Sequence, residues 1–336
     1  MAKEDERKPE GSKPAGSTMR ARLHAWWEGY EYVAPPKPAA APGGRREPEP
    51  EPVPQAPARI EAAEHPDPVR PPMDGKVVVK EAWPPERIKV AQLVWGDGFT
   101  FPGGERFALS LGQEMALSNG AVAMDLGCGL GGGTRAMARD LDIWMEGYDL
   151  SLDLARAGDA ASRAANMERK APIGLLDVVD GSFKPKRYEG VVVRGVFSLV
   201  SEKPKLLTRI RHGMKPGARL IIADWAVSND EAMGPALEAY RLGEATAPRL
   251  STLERLGTQL AEAGFEVKAR DDITTDFRAV VLEGWSRIDA IIARGQLAPA
   301  EGAALVEEAQ LWSRRIAAMA GGELRFVKLA AVRPAD

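Results

Sequence analysis

One stretch fixes most of what this chain can become: Val122–Asp149, VAMDLGCGLGGGTRAMARDLDIWMEGYD. It holds a short apolar run ending in Asp125, a glycine-dense loop, a helical segment, a second apolar run and a second acid, Asp149. Two short buried strands joined by a helix form a βαβ unit, which puts both strands parallel in one sheet. In such sheets ligands bind beyond the carboxyl ends of the strands, where this first loop sits. Gly127, Gly129 and Gly131 let the backbone turn sharply there and approach a ligand with no Cβ in between. Cys128, flanked by glycines and without a base beside it, reads as a small loop residue and not as a nucleophile.

Gly127, Gly129 and Gly132 also satisfy the GxGxxG spacing of dinucleotide sites. Two features argue against that reading. Asp125 precedes the first glycine by two residues, and a pyrophosphate gains nothing from an anion at that place. The sequence after Asp149 does not continue as a second βαβαβ half. Asp149 closes the second strand, where acids accept hydrogen bonds from ribose hydroxyls. Its simpler role would be an acid at the N-terminus of the following helix.

The rest of the chain alternates in the same way. Strands are expected at 121–125, 143–148, 173–176, 190–193, 219–223, 265–269 and 324–332, with a further short one at 76–80. Helices are expected at 84–93, 105–118, 134–141, 152–167, 204–212, 229–243, 252–263, 277–294 and 299–320. Such alternation predicts an α/β fold, a doubly wound and mostly parallel seven-stranded sheet covered on both faces. The pair 277–294 and 299–320 forms a C-terminal helical insertion before the last strand.

Residues 1–72 carry more than half of the 26 prolines, together with alanine and glutamate. Such a segment has too little apolar surface to offset the entropy of ordering, so a disordered tail is expected, with the folded domain at 73–336. Within the tail, residues 20–33 (RARLHAWWEGYEYV) hold two of the eight tryptophans and two of the five tyrosines. This aromatic island reads as a docking element for a protein partner, as a lid over the domain, or as a helical patch packed on it. The net charge of −3 offers no basic surface for nucleic acid. A single cysteine fits a reducing compartment, and no apolar run is long enough to span a bilayer. A cytoplasmic location is the expectation, and no metal is called for.

Five segments then carry a family resemblance: WGDGFTFPGG at 95–104, MDLGCGLGGGT at 124–134, GYDLS at 147–151, MKPGARLIIADW at 214–225 and ELRFVKLAAVRP at 323–334. Together they resemble the class I S-adenosylmethionine-dependent methyltransferases, and more narrowly the phosphoethanolamine N-methyltransferase group and its bacterial relatives. The resemblance covers about residues 83–333. It implies a Rossmann-like class I methyltransferase fold with S-adenosyl-L-methionine as cofactor. Carried over by position, Asp125, Gly127, Cys128, Gly129 and Gly131 form the cofactor loop, with Asp125 near the ligand's cationic aminoacyl end. Asp149 and Leu150 meet the ribose side, and Asp177 the adenine amino group. Thr100 and Phe101 lie against the cofactor, and Arg194 follows the fourth strand.

The acceptor side departs from that pattern. Gly195 stands where the group has an acid and Leu199 where it has a catalytic histidine; Trp225 replaces a tyrosine. No phosphate-gripping set is evident between 226 and 250, and Trp83 falls near the other catalytic tyrosine. These changes argue against phosphoethanolamine as acceptor. Asp224 and Arg194 remain as weak catalytic candidates. None of His24, His65 and His212 is placed for catalysis. Trp285 and Trp312 either cage a cationic acceptor or pack between helices, and the second is the simpler reading. The expected activity is methyl transfer to a small molecule, with nitrogen mildly preferred. The alternative is a methyltransferase-fold protein that has lost its chemistry and serves as a binding or regulatory partner.

Overall fold

A computed structural model describes residues 70–293 and 297–335. The aromatic island, His24, His65 and most of the expected tail lie outside the described residues. The elements run α1 (Pro85–Trp95), α2 (Gly104–Glu114), β1 (Val122–Leu126), α3 (Gly132–Asp140), β2 (Trp144–Asp149), α4 (Leu152–Ala164), β3 (Ile173–Leu175), β4 (Tyr188–Arg194), α5 (Lys203–Gly213) and β5 (Met214–Val227). Then come α6 (Pro235–Gly243), α7 (Leu253–Glu262), β6 (Glu266–Asp272), α8 (Thr274–Ser286), α9 (Ile288–Ala293), α10 (Pro299–Ala320) and β7 (Leu324–Val332).

The sheet order is β3-β2-β1-β4-β5-β7-β6. β1 to β5 pair in parallel, whereas β7 runs antiparallel between β5 and β6. The order reverses between β1 and β4, so the open edge of the crevice lies where the first glycine loop emerges. Alternation decides what each strand residue meets. Met124, Leu126, Val191, Val193, Leu220 and Ile222 join one core with Leu206 and Ile210 of α5 and Leu256 and Leu260 of α7. Asp125 points to the other face, where Thr134 of α3 reaches it. Burial of both faces explains why these strands read as continuous apolar runs.

A second core is aromatic. Phe277 of α8 stacks on Phe326 of β7 at 3.7 Å between ring centroids. Trp95 ends α1 against Trp285 of α8 at 5.9 Å and Trp312 of α10 at 4.9 Å. Trp312 is 1% exposed, so the tryptophans of the inserted helices are core and do not cage a ligand.

Several boundaries move. The folded part begins before Met73: the Pro72 carbonyl accepts from Leu175 N at 2.7 Å, and Arg70 pairs with Asp159 at 3.1 Å. Residues 76–80 are extended but pair with no strand, because they cross the crevice instead of joining the sheet. The helix expected from 229 starts at Pro235, where proline suits the first turn. The helix expected at 277–294 is two, α8 and α9, broken at Arg287.

Candidate functional site

The glycine loop leaves β1 under strict steric terms. Gly127 has φ of 80°, and a Cβ there would lie 2.0 Å from the Arg194 carbonyl oxygen, so no side chain fits. The loop closes at Gly131, which precedes α3 in a left-handed conformation. Between them Gly129 N donates to Asp149 Oδ2 at 2.7 Å. Ser151 N donates to Asp149 Oδ1 at 2.9 Å, and Ser151 Oγ caps α4 by accepting from Leu154 N at 3.4 Å. Each Asp149 oxygen thus holds one backbone N–H and keeps a lone pair toward the crevice. Burial pushes the Asp149 pKa up to about 6, against the pull of its two N–H donors.

Asp125 lies one layer below. Its Oδ2 accepts from Thr134 Oγ1 at 2.7 Å and Arg194 Nη2 at 2.6 Å, and its Oδ1 from Arg194 Nε at 3.2 Å. This is a buried, bidentate ion pair. Burial works against the Arg194 cation, but Asp125 outweighs it and holds the pKa above its usual value. Asp125 therefore braces the loop from beneath, instead of facing the crevice directly. Cys128 is buried, and desolvation with the nearby Asp149 and Asp125 pushes its thiol pKa well up, which removes thiolate reactivity.

A cavity of about 150 Å³ opens above this layer. Thr100, Phe101, Gly127, Gly129, Asp149, Leu150 and Arg194 all line it, so the structure brings most of the sequence-derived cofactor set together. Gly131, Cys128 and Asp125 support that surface without lining it. Asp177 and Asp224 do not line this cavity. Asp177 accepts from Lys76 N at 3.0 Å, Val179 N at 2.8 Å and Asp180 N at 3.0 Å, and so ties down a turn. Asp224 is fully buried and accepts from Phe197 N at 2.7 Å and Ser198 N at 3.2 Å. Burial raises its pKa. It positions the loop after β4 and does not reach the cavity.

The crossing segment 76–83 forms one wall. Lys76 N is held by Asp177, Lys80 N by Thr246 Oγ1 at 2.8 Å, and Trp83 N by Asp153 Oδ2 at 3.2 Å. Its extended backbone alternates faces: Val79, Glu81 and Trp83 line the first cavity, whereas Val78 and Lys80 line a second of about 440 Å³. Ligand pockets commonly hold roughly 300 Å³ or more.

Away from the glycine loop the cavity becomes a chamber of side chains from remote elements. Leu199 and Gly195 line it, with no imidazole or acid in their places. Trp225 and Tyr240 form an aromatic wall, 6.3 Å between ring centroids. Glu81, Arg87, Glu244, Glu308 and Arg315 complete it. Sequence reading missed these five charged residues. One signal was present: Leu305, Glu308, Trp312 and Arg315 follow the 3- and 4-residue spacing of a buried helical face, so two charges sit where apolar residues belong. His212 is exposed on α5, away from the chamber.

Comparisons with known proteins agree with this arrangement. Residues 104–269 match a family described as a methyltransferase domain. The chain is 26% identical over 196 residues to phosphoethanolamine N-methyltransferase 1 of Arabidopsis thaliana, covering 58% of this chain and 39% of that protein. It is 27% identical over 183 residues to O-methyltransferase cnsE of Penicillium expansum, covering 52% of this chain and 63% of that one. The chain thus spans about two fifths of the plant relatives' length. Among solved structures, phosphoethanolamine N-methyltransferase 2 of Haemonchus contortus, in complex with S-adenosyl-L-methionine, superposes with a TM-score of 0.66 at 22% identity, over 74% of this chain and 57% of that one. The [4+2]-cyclase SpnF superposes at 0.59 with 17% identity, over 75% and 93%. The fold is that of the class I methyltransferases, and among the described residues no helix is long and apolar enough to cross a membrane.

Proposed function

We propose that this chain, a class I S-adenosylmethionine-dependent methyltransferase, methylates a small molecule at nitrogen in the chamber beside its glycine loop. The observation that carries this reading is one continuous cavity. A backbone cradle with a ribose-type acid forms one half, and a chamber of aromatic and charged side chains forms the other. The cradle is bare backbone: a Cβ at Gly127 would lie 2.0 Å from the Arg194 carbonyl oxygen, and a Cβ at Gly129 would lie 2.7 Å from Thr100 Oγ1. Asp149 offers its two remaining lone pairs to the ribose hydroxyls, with Leu150 beside it. Arg194 lines the cavity while its Nε and Nη2 hold Asp125, so its charge faces the aminoacyl carboxylate. Thr100 and Phe101 cover the same end.

S-adenosylmethionine, when bound, supplies an electrophilic methyl group. What the chain supplies is position and dryness. In-line displacement gains most from a fixed, close approach, worth up to about 7–11 kcal/mol in the best intramolecular cases. The absence of histidine at position 199 suits a nucleophile that attacks without first losing a proton. An amine attacks as the free base and sheds a proton to water at the mouth. A hydroxyl would need a base at the moment of attack. The relatives named for phosphoethanolamine add support for nitrogen.

The test is transfer of label from methyl-labelled S-adenosylmethionine to a panel of primary amines and matched alcohols. Label on amines is the expected result. Label on alcohols alone would overturn the preference for nitrogen, and bound cofactor with no transfer to anything would favour the non-catalytic binding protein.

A further inference from the structure

Given methyl transfer in this cavity, the chamber's charge can be followed residue by residue. Two guanidiniums face the acceptor half, and carboxylates hold both. Arg87 on α1 donates from Nη2 to Glu81 at 2.6 Å, from Nε to Glu308, and from Nη1 to the Ala82 carbonyl at 2.8 Å. Arg315 on α10 forms a two-pronged pair with Glu244, both distances 2.8 Å. These are shielded pairs: the Glu308 side chain is 5% exposed and the Glu244 side chain 9%. Three carboxylates thus meet two cations, leaving one negative charge in surplus. Arg194 is already matched by Asp125. Lys80 and Arg249 line the second cavity, which shares Glu244 with the first, and neither lines the first.

A phosphoryl or carboxylate group entering here would meet guanidiniums whose charge is already balanced by carboxylates, with a further carboxylate repelling it, which is unfavourable. A protonated amine meets the opposite: a surplus carboxylate, and a lining that includes the rings of Trp225 and Tyr240 and of Trp83, over which Arg87 lies at 4.0 Å. We infer that the acceptor is an amine on a flat, apolar skeleton with no anionic group near the reacting nitrogen, and that the Glu81–Arg87–Glu308 set and the Glu244–Arg315 pair enforce this choice. The surplus charge gathers the ammonium form, which releases its proton to water before its nitrogen lone pair forms the new N–C bond and the methyl–sulfur bond breaks. Phosphoethanolamine, which gives several relatives their name, is the natural counter-probe.

The experiment is calorimetric titration of the full chain, first with S-adenosylhomocysteine and then, once loaded, with 2-phenylethylamine, phosphoethanolamine and 3-phenylpropionate. The amine is expected to bind at least about tenfold more tightly than either anion. Glu244→Gln, which strips Arg315 of its counter-charge, is expected to narrow or reverse that gap by admitting phosphoethanolamine. Should that variant fail to fold, Glu81→Gln decides. Its side chain is 25% exposed at the chamber's edge, and its loss should weaken the amine about tenfold while leaving S-adenosylhomocysteine affinity alone. The proposal is overturned if the wild type binds an anion as tightly as the amine or binds none of the three probes. It is also overturned if Glu81→Gln leaves the ranking unchanged. Failure of S-adenosylhomocysteine itself to bind is a separate outcome, and it sinks the methyl-transfer reading.

Discussion

The two halves of the cavity, which we propose hold cofactor and acceptor, are built on different principles. The cofactor half comes from consecutive backbone: the turn at Gly127, the Gly129 amide on Asp149, and the opening of α4 at Ser151, all within thirty or so residues. The acceptor half is assembled from side chains on α1, α6 and α10, whose partners lie 71 residues apart for Glu244 and Arg315 and 221 apart for Arg87 and Glu308. The first half has little freedom to vary, because a glycine loop pressed against Arg194 accepts no side chain. The second can be rewritten by exchanging one ion pair for another. Binding of the cofactor and choice of acceptor should therefore respond to separate substitutions.

The largest effect that would sharpen this contrast is in the acceptor half. Glu244→Ala leaves the Arg315 cation buried without its partner, and breaking such a pair costs about 3–5 kcal/mol. Denaturant unfolding should show that loss, while cofactor affinity, measured below the lowered melting temperature, stays as it was. In the cofactor half, Gly127→Ala forces a methyl group against the Arg194 carbonyl at an unfavourable φ, with an expected stability cost of about 3 kcal/mol. Here S-adenosylmethionine binding should fall with stability. If Gly127→Ala binds cofactor normally, the separation of the two halves breaks down.

A finer test uses pH. Burial raises the Asp149 pKa from an ordinary 3.8 to about 6, so the folded protein retains a proton that the unfolded chain has lost. The empty protein should lose stability as pH rises from about 4 to about 6. Cofactor binding runs the other way. Ribose hydroxyls donate to the ionised carboxylate, so affinity should rise by up to about tenfold per unit below pH 6 and level off above. Asp149→Asn should flatten both profiles, as followed by melting and calorimetry across pH 4–8. The smallest expected effect is at Cys128, whose buried thiol has no chemical role. Cys128→Ser should change the methyl-transfer rate by no more than about twofold in a labelled-methyl assay.

The same contrast explains what could be read from sequence. The order of strands and helices, the glycine loop and Asp149 are local patterns, with spacings set by backbone geometry. They appear in the structure in the expected order, apart from the strand expected at 76–80, the helix expected at 277–294 that is two, and shifted boundaries such as Pro235. Asp125 was legible as important but not as the partner of Arg194, because 69 residues separate them and strand order alone brings them together. Asp177 was named from the family resemblance, and Asp224 from its place at the end of the fifth strand. Backbone amides of neighbouring turns claim both carboxylates, and no spacing rule shows that. The charged chamber residues were nearly invisible, apart from two charges on the buried face of α10. Their meaning depends on which distant carboxylate meets which guanidinium.

The proposed methyl transfer depends on the glycine loop and Asp149 forming a cofactor site. Its most direct test is calorimetric titration of the full chain with S-adenosylmethionine and S-adenosylhomocysteine, with Asp149→Ala beside it. Micromolar binding by the wild type and its loss in a folded variant is the predicted result. A folded wild type, free of carried-over ligand, that binds neither compound would contradict it.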